Sequence, residues 1–248
     1  VSDHETYSSI LATLLPNTEV LNFGIHGYGH DQMLLYFKTE GVKYRPDVVI
    51  LGYVWFDQDR NLVAFNDFAK PRFDLLADTL RLENVPVPTP ESVLEREPFR
   101  SKLIDLAMMA WARGRDRMYP DRDRERKRAL TWAIFDDLVR TVRQNGGTPV
   151  FAYLPVLKEV ADLREDRSEN ERVLEEYCRS RPVDCVFLRP RFRVAVARGA
   201  IFDTRRHWSP AEHQLAAEGI RDFLLAHNAH NRLSAPESTP NQADTRPR

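Results

Sequence analysis

The chain has 248 residues, of which 42% are hydrophobic and 29% are charged, a composition typical of a globular protein with a sizeable buried core. Its formal net charge of −1 gives no general reason to expect nucleic acid or an anionic membrane as a partner. No apolar run reaches the length of about 18 residues that a membrane-spanning helix requires, so we predict no membrane span. Composition leaves the compartment, cytoplasmic or exported, and the oligomeric state open.

The first segment of interest is a short strand that leads into a glycine-rich turn. An amphipathic helix is predicted over residues 5–15, and the apolar segment 19–22 that follows predicts a strand. The turn contains Gly24, Gly27 and Gly29, and glycine lets backbone N–H groups approach a ligand closely. Because this glycine spacing is not the dinucleotide fingerprint, the segment is either a plain tight turn or a ligand-binding loop.

A second strand end is also polar. After a predicted helix at residues 32–40, the continuous apolar run of residues 48–56 is typical of a buried strand in a parallel sheet. It ends in the polar cluster of residues 57–61. Since the carboxyl ends of parallel strands share one edge, we predict a ligand site at this edge of the sheet.

The middle of the chain predicts an excursion from the sheet, from about residue 62 to residue 128. Residues 70–90 alternate in pieces and predict a β-hairpin, with Glu83-Asn84 near a turn. Residues 98–112 have helical spacing. Residues 113–128 mix basic and acidic side chains, so we favour a solvated loop running into a charged helix, and a mobile cover of the sheet edge, over a nucleic-acid surface.

The rest of the chain alternates helix and strand. The predicted elements are helices at 129–145, 170–181 and 210–227 and strands at 148–155 and 184–190. This alternation predicts an α/β fold with a three-layer α/β/α arrangement around a parallel sheet, in one domain over residues 1–227. The polar tail, residues 228–248, is predicted to be disordered.

The cysteines and histidines allow few assignments. Cys178 and Cys185 either form a disulfide, which would indicate an oxidising compartment, or are two separate thiols, and we favour separate thiols. His4, His26 and His30 have no spacing that suits zinc. We predict no metal and no cofactor.

One acid–histidine pair stands before the last helix. Ser209 and Pro210 are a strong start signal for that helix, and Asp203 and His207 lie in the loop before it. A histidine held at a sheet edge with an acid beside it is the base-and-orienter half of a nucleophile triad.

Three blocks of the sequence together resemble the SGNH (GDSL-type) hydrolases. They are VLNFGIHGYGHDQ, YRPDVVILGYVWFDQDRN and HWSPAEHQLAAEGI, and the resemblance extends from residue 1 to about residue 226. It implies a flavodoxin-like α/β/α fold and a Ser-His-Asp mechanism. The implied substrates are acyl or acetyl esters of carbohydrate or lipid, as small molecules or glycans.

The resemblance assigns individual residues. The first block makes Gly24 a donor to the oxyanion, supported by Asn22, and the last block makes His207 the general base with Asp203 as its orienter. That Asp lies four residues before the His, where the family usually has two or three.

The second block departs further from the family pattern. It covers Gly52 to Asp57, which implies an oxyanion or substrate-binding role there, but Phe56 occupies the position of the family's Asn. A phenyl ring donates no hydrogen bond, and the loss of one oxyanion-hole donor costs about 10²–10³ in rate.

The family's first strand and its Gly-Asp-Ser block should precede Val1, so the resemblance implies a nucleophile outside the chain. We assign none of Ser2, Ser8 and Ser9 as the nucleophile. Two hypotheses remain: an ester hydrolase whose nucleophile segment lies upstream, and a catalytically inactive relative that binds carbohydrate or acts as a scaffold, with Phe56 available to stack on a sugar. A flavodoxin-like ligand or response module would need a phosphate or flavin loop, which we do not find.

Overall fold

The computed structural model forms two compact units, Val1–Leu21 with the described residues from Ser209 onward (unit 1) and Asn22–Trp208 (unit 2). The residues that the structure describes are 1–95, 103–104, 106–107, 110–111, 120–161, 168–203 and 207–227. The predicted disordered tail and most of the predicted helix at 98–112 therefore lie outside the described residues, as does the first part of the charged segment that follows. The single domain over residues 1–227 stays a prediction.

Helices and strands alternate along most of the chain. In chain order they are α1 (Tyr7–Leu14), α2 (His30–Thr39), β1 (Val48–Tyr53), α3 (Asp57–Arg60), β2 (Phe65–Asn66), β3 (Phe68–Ala69), β4 (Arg72–Leu76), β5 (Thr79–Glu83), α4 (Pro90–Glu95), α5 (Pro120–Gln144), β6 (Thr148–Tyr153), α6 (Leu157–Ala161), α7 (Glu169–Ser180), β7 (Asp184–Phe187), α8 (Arg189–Ala197) and α9 (Pro210–Ala226). Short 3₁₀ helices cover Asp3–Glu5 and Gly41–Tyr44.

Unit 1 is a pair of packed helices, α1 and α9. The helix start predicted at Ser209 and Pro210 is confirmed: Ser209 is the N-cap, forms a capping box with Glu212, and Pro210 follows as the first helical residue. The backbone N–H of Tyr7 donates to Nδ1 of His213 over 3.2 Å, and the two rings stack. His213 therefore helps to close the amino end of α1.

Unit 2 is built on a three-stranded parallel sheet in the order β1-β6-β7. Helix α5 packs against β6 and helix α7 against β7, so the sheet is flanked by helices and the predicted α/β class is confirmed. The buried core is mostly aliphatic and aromatic, and its fully buried members include Leu34, Tyr53, Ile134, Phe151 and Tyr177. Strand β1 is an edge strand of this sheet, although its sequence has the continuous apolar pattern of a central strand.

After helix α3, the excursion from about residue 62 begins with two small antiparallel hairpins. The predicted hairpin is confirmed as β4 paired with β5. Its turn is Ala77-Asp78, where both residues have positive φ, while Asn84 lies just beyond the second strand. The short pair β2–β3 comes before it and has Asp67 at its tip, also with positive φ.

Several predicted boundaries are wrong. Residues 19–22 form no strand: the side chain of Asn22 instead accepts from the N–H of Gly24, a local turn that competes with strand pairing. Strand β1 ends at Tyr53, three residues earlier than predicted, because Val54 begins a hydrogen-bonded turn to Asp57. Helix α5 starts at Pro120, so part of the charged segment is helical.

The two cysteines pair. Cys178 on α7 and Cys185 on β7 form a disulfide, so the prediction of separate thiols is wrong. The chain reverses direction between α7 and β7, and this reversal brings the two cysteines, which are seven residues apart, into contact.

Helix α8, which follows β7 directly, was also not predicted. Among the residues described, no helix has both the length and the apolar character needed to cross a membrane.

Candidate functional site

The turn after β1 holds an ion pair between a buried carboxylate and a partly exposed guanidinium. Asp57 is 3% exposed, and its Oδ1 accepts from Nη1 of Arg60 over 2.6 Å. Burial raises the pKa of the Asp57 carboxyl to about 6, against the opposing effect of the Arg60 charge. The guanidinium of Arg60 also lies over the ring of Phe56, 5.0 Å from its centroid. Arg60 thus contacts both residues that the second block assigns to this turn.

The glycine loop is bonded to this same turn. Nη1 of Arg60 donates to the carbonyl oxygen of Tyr28 over 3.2 Å. At Gly29 an added Cβ would lie 2.9 Å from Cβ of Arg60 and 3.0 Å from Oδ1 of Asn61, which leaves no room for a side chain. Gly27 has a φ of +79°, the left-handed conformation that favours glycine. These two glycines are required by close packing and by the turn.

A cluster of five buried polar residues fastens the start of α2 to its surroundings. This His30 cluster consists of His30, Asp31, Asn61, Lys70 and Thr131, each no more than 1% exposed. Oδ1 of Asn61 accepts a hydrogen bond from the N–H of Asp31 over 3.2 Å. The amide nitrogen of Asn61 lies 3.2 Å from Nδ1 of His30 and 3.1 Å from the Thr131 hydroxyl, within hydrogen-bonding distance of both. Asn61 therefore serves as the cap that Gly29, the N-cap residue, has no side chain to provide.

Burial dominates the electrostatics of the His30 cluster. It lowers the pKa of the fully buried His30 to about 3, with a further lowering by the nearby Arg60 charge. It raises the pKa of Asp31, although the ion pair with Lys70 acts in the opposite direction. Because the Asn61 amide donates to Nδ1, His30 carries its proton on Nε2, a buried atom with no hydrogen-bond partner in the described part of the chain.

A second buried network lies at the carboxyl ends of β6 and β7. The hydroxyl of Tyr153 donates to Glu159 over 2.6 Å, and Asn170 donates to the other oxygen of that carboxylate over 2.8 Å. Arg189 and Glu171, both 2% exposed, form an ion pair with a 3.2 Å separation. These bonds hold the loops after the two strands in place.

The loop with the predicted base is anchored at the same edge. Nε1 of Trp208 donates to the carbonyl oxygen of Pro155 over 3.2 Å, two residues beyond the end of β6. The Trp208 ring also packs against Phe192, with centroids 5.1 Å apart. His207, directly before Trp208, and Asp203 are both exposed, and residues 204–206 between them lie outside the described residues.

The remaining predicted site residues are Asn22, Gly24 and Gly52. The N–H of Gly24 donates to Oδ1 of Asn22 over 3.0 Å, and both residues are exposed. Gly52 lies inside β1, opposite Ala152 of β6, so its backbone belongs to the ladder. The glycine loop and the turn with Phe56 and Asp57 are brought together by Arg60.

Sequence reasoning missed the residues that join these loops. Asn61 and Lys70 lie 30 and 39 residues from Asp31, a separation that no local pattern reveals. The one available signal was the polar cluster after β1, which includes Arg60 and Asn61. Within the described ranges, no group of three or more His, Cys, Asp or Glu residues is arranged to hold a metal ion.

Comparisons with family models, with curated proteins and with solved structures found no match to this chain.

Proposed function

We propose that the chain belongs to an ester hydrolase of the SGNH type, acting on acyl or acetyl esters of carbohydrate or lipid. His207 is the general base and Asp203 orients it. The N–H of Gly24 is the proposed oxyanion donor, and it has to exchange its hydrogen bond to Oδ1 of Asn22 for one to the oxyanion. Asp57 belongs to the turn after β1 that borders the substrate, and Gly52 lies one residue before the end of the strand that leads into this turn. In this proposal the sheet of unit 2 is part of a flavodoxin-like, three-layer α/β/α fold.

The observation that carries the proposal is the hydrogen bond from Trp208 to the carbonyl of Pro155. It fixes the residue after His207 at the carboxyl end of β6, the edge where parallel α/β sheets bind ligands. The turn after β1 lies at that same edge, and Arg60 bonds it to the glycine loop. Three segments far apart in the chain, the loop with His207, the glycine loop and the turn after β1, thus lie on one side of the sheet, which supports the proposal.

The nucleophile of this hydrolase is a serine on a strand that pairs with β1. Strand β1 is apolar along its length but lies at the edge of the described sheet, with no charged residue or proline to protect it. Exposed apolar edges are normally covered in native proteins. A parallel strand at this edge would end beside the turn that contains Phe56 and Asp57.

The second candidate function is a catalytically inactive relative that binds carbohydrate or acts as a scaffold. The observation in its favour is Phe56, which stands where the family has an Asn and which cannot donate a hydrogen bond to an oxyanion. An aromatic ring at that position is able to stack on a sugar instead.

Turnover of p-nitrophenyl acetate by the full-length protein, read from the complete upstream frame, separates the two candidates. We expect hydrolysis, and we expect His207→Ala to reduce kcat by about 10³-fold or more, as removal of a triad base does. The matched control is His227→Ala, an exposed histidine at the end of α9. A folded full-length protein without turnover, or one whose turnover survives His207→Ala, would overturn the hydrolase proposal.

A further inference from the structure

A cleft lies at the amino ends of β6 and β7, at the opposite end of these strands from the candidate site. One wall of this α5–α7 cleft is the last part of α5, residues 136–144, which leads into β6. The other wall is the end of α7 together with residues 181–183, which lead directly into β7. The cleft has a volume of about 380 Å³. Small-molecule sites have volumes of about 300–1,000 Å³, so this cleft is large enough for a small organic ligand.

Much of the lining of the α5–α7 cleft is apolar. Val139 and Tyr177 belong to the buried core, Val183 is half-buried, and Pro182 is exposed. The hydroxyl of Tyr177 donates to Oδ1 of Asp136 over 3.1 Å, so its one polar group already has a partner. An apolar ligand body is therefore able to leave water here without separating a polar pair.

The two walls of the α5–α7 cleft are joined to each other. The guanidinium of Arg181 donates to both oxygens of Asp136, over 2.9 Å from Nε and 3.1 Å from Nη2. Nη2 of Arg143 donates to the carbonyl oxygen of Pro182. The disulfide between α7 and β7 also closes the loop that contains residues 181–183. The cleft is therefore formed before a ligand arrives, which lowers the entropic cost of binding.

Positive charge predominates around the α5–α7 cleft. The ion pair that joins its walls is neutral, and Arg140 shares the single carboxylate of Asp137 with Lys38. Arg143 has no carboxylate partner in the described part of the chain, so the local excess is two positive charges. The carboxyl ends of α5 and α7 contribute about half a negative charge each and reduce this excess to about one. A ligand with a single negative charge complements it.

We propose that the α5–α7 cleft binds a small organic monoanion, a carboxylate on an apolar body, with the carboxylate at Arg143 and the body against Val139 and Val183. A guanidinium has five N–H donors, so Arg143 is able to bind a carboxylate while it keeps its bond to Pro182. This ligand site goes beyond the proposed hydrolase function and does not depend on it.

Isothermal titration calorimetry of the full-length protein with 2-naphthoate tests the site. The neutral 2-naphthamide keeps the rings and lacks the charge, and acetate keeps the charge and lacks the rings. We expect naphthoate to bind about five-fold more tightly than naphthamide, the upper range for an exposed ion pair. We expect acetate to bind at least about ten-fold more weakly than naphthoate, because it buries little apolar surface.

The variant Arg143→Gln removes the unpaired positive charge. We expect it to lower the naphthoate affinity by about five-fold and to leave the naphthamide affinity within about two-fold of the wild type. Retained naphthamide binding also shows that the cleft is intact. Arg81→Gln is the matched control for net charge, since Arg81 is an exposed arginine of β5 outside the cleft lining. We expect it to leave the affinities for both compounds unchanged.

Equal affinities of the wild type for naphthoate and naphthamide would overturn the assignment. So would an unchanged naphthoate affinity in Arg143→Gln, an equal loss in Arg81→Gln, or a loss of the same size for both compounds in Arg143→Gln. The absence of naphthoate binding at about 10 mM would overturn the site altogether. None of these results bears on the hydrolase proposal, because ester turnover is not the quantity measured.

Discussion

Two buried groups near the candidate site titrate with opposite effects on stability. Folding raises the pKa of Asp57 to about 6 from an ordinary value of 3.8, so its stabilising contribution is complete below pH 3.8 and is lost as the pH rises through 6. Folding lowers the pKa of His30 to about 3 from an ordinary value of 6.5, so its contribution is complete above pH 6.5 and is lost as the pH falls toward 3.

The two effects have similar size over the range in which both act. One pH unit corresponds to at most about 1.4 kcal/mol for each group and to less near its pKa values. Acidification from pH 6 to pH 4 therefore gains about 2 kcal/mol through Asp57 and loses about 2.5 kcal/mol through His30. In the wild type the titrations of Asp57 and His30 therefore change the free energy of unfolding by nearly equal and opposite amounts. The substitution Asp57→Asn removes the stabilisation on acidification and keeps the destabilisation through His30.

Urea unfolding followed by circular dichroism at pH 4, 5, 6 and 7 measures the difference. We expect the free energy of unfolding of Asp57→Asn to fall, relative to the wild type, by about 2 kcal/mol between pH 6 and pH 4. Asp59→Asn, which removes an exposed carboxylate from the same turn, controls for the change in net charge. A difference between the wild type and Asp57→Asn that does not vary with pH would refute the reasoning.

Three further substitutions test the contacts that hold each unit together. Lys70→Met leaves Asp31 buried without its cation and should lower the free energy of unfolding in urea by about 3–5 kcal/mol, while adding Asp31→Leu should restore at least half of the loss; a Lys70→Met variant as stable as the wild type would contradict the buried pair. Replacing Cys178 and Cys185 with serine should cost about 2–3 kcal/mol for so short a loop, and reducing agent should lower the unfolding midpoint of the wild type alone; an identical midpoint with and without reducing agent would count against the disulfide. Ser209→Ala should cost about 1 kcal/mol in thermal unfolding through loss of the α9 cap, and no change would show that the capping box contributes nothing.

The fold class follows from the sequence because its signals are local. Apolar runs of strand length at β1 and β6, helical spacing before β6 and the capping residues before α9 all depend on neighbours within a few positions. The strand predicted at residues 19–22 failed because a strand also needs a partner. An apolar run indicates that a segment is able to pair as a strand, but it does not determine whether a neighbouring strand is available as a partner.

The candidate site was predictable only in part, for the same physical reason. The glycine loop and the turn after β1 were expected at one edge because parallel strands share their carboxyl side. The two segments are held by buried polar contacts between residues that are far apart in the sequence, such as Asp31 with Lys70 and Asn61 with Thr131. A lysine or asparagine in isolation is most simply a surface residue, and only the fold shows that Lys70 and Asn61 are buried.

Arg60 weakens the case for a sugar that stacks on Phe56. The Arg60 guanidinium lies over one face of this ring, and Trp55 contacts the ring at an interplanar angle of 75°, with the two ring centroids 5.8 Å apart. A sugar that displaced Arg60 would also have to break its ion pair with the buried Asp57 and its hydrogen bond to Tyr28. The Arg60 side chain is 27% exposed, so breaking this part-buried pair costs about 1 kcal/mol, which offsets the gain of about 1 kcal/mol from one stacking contact.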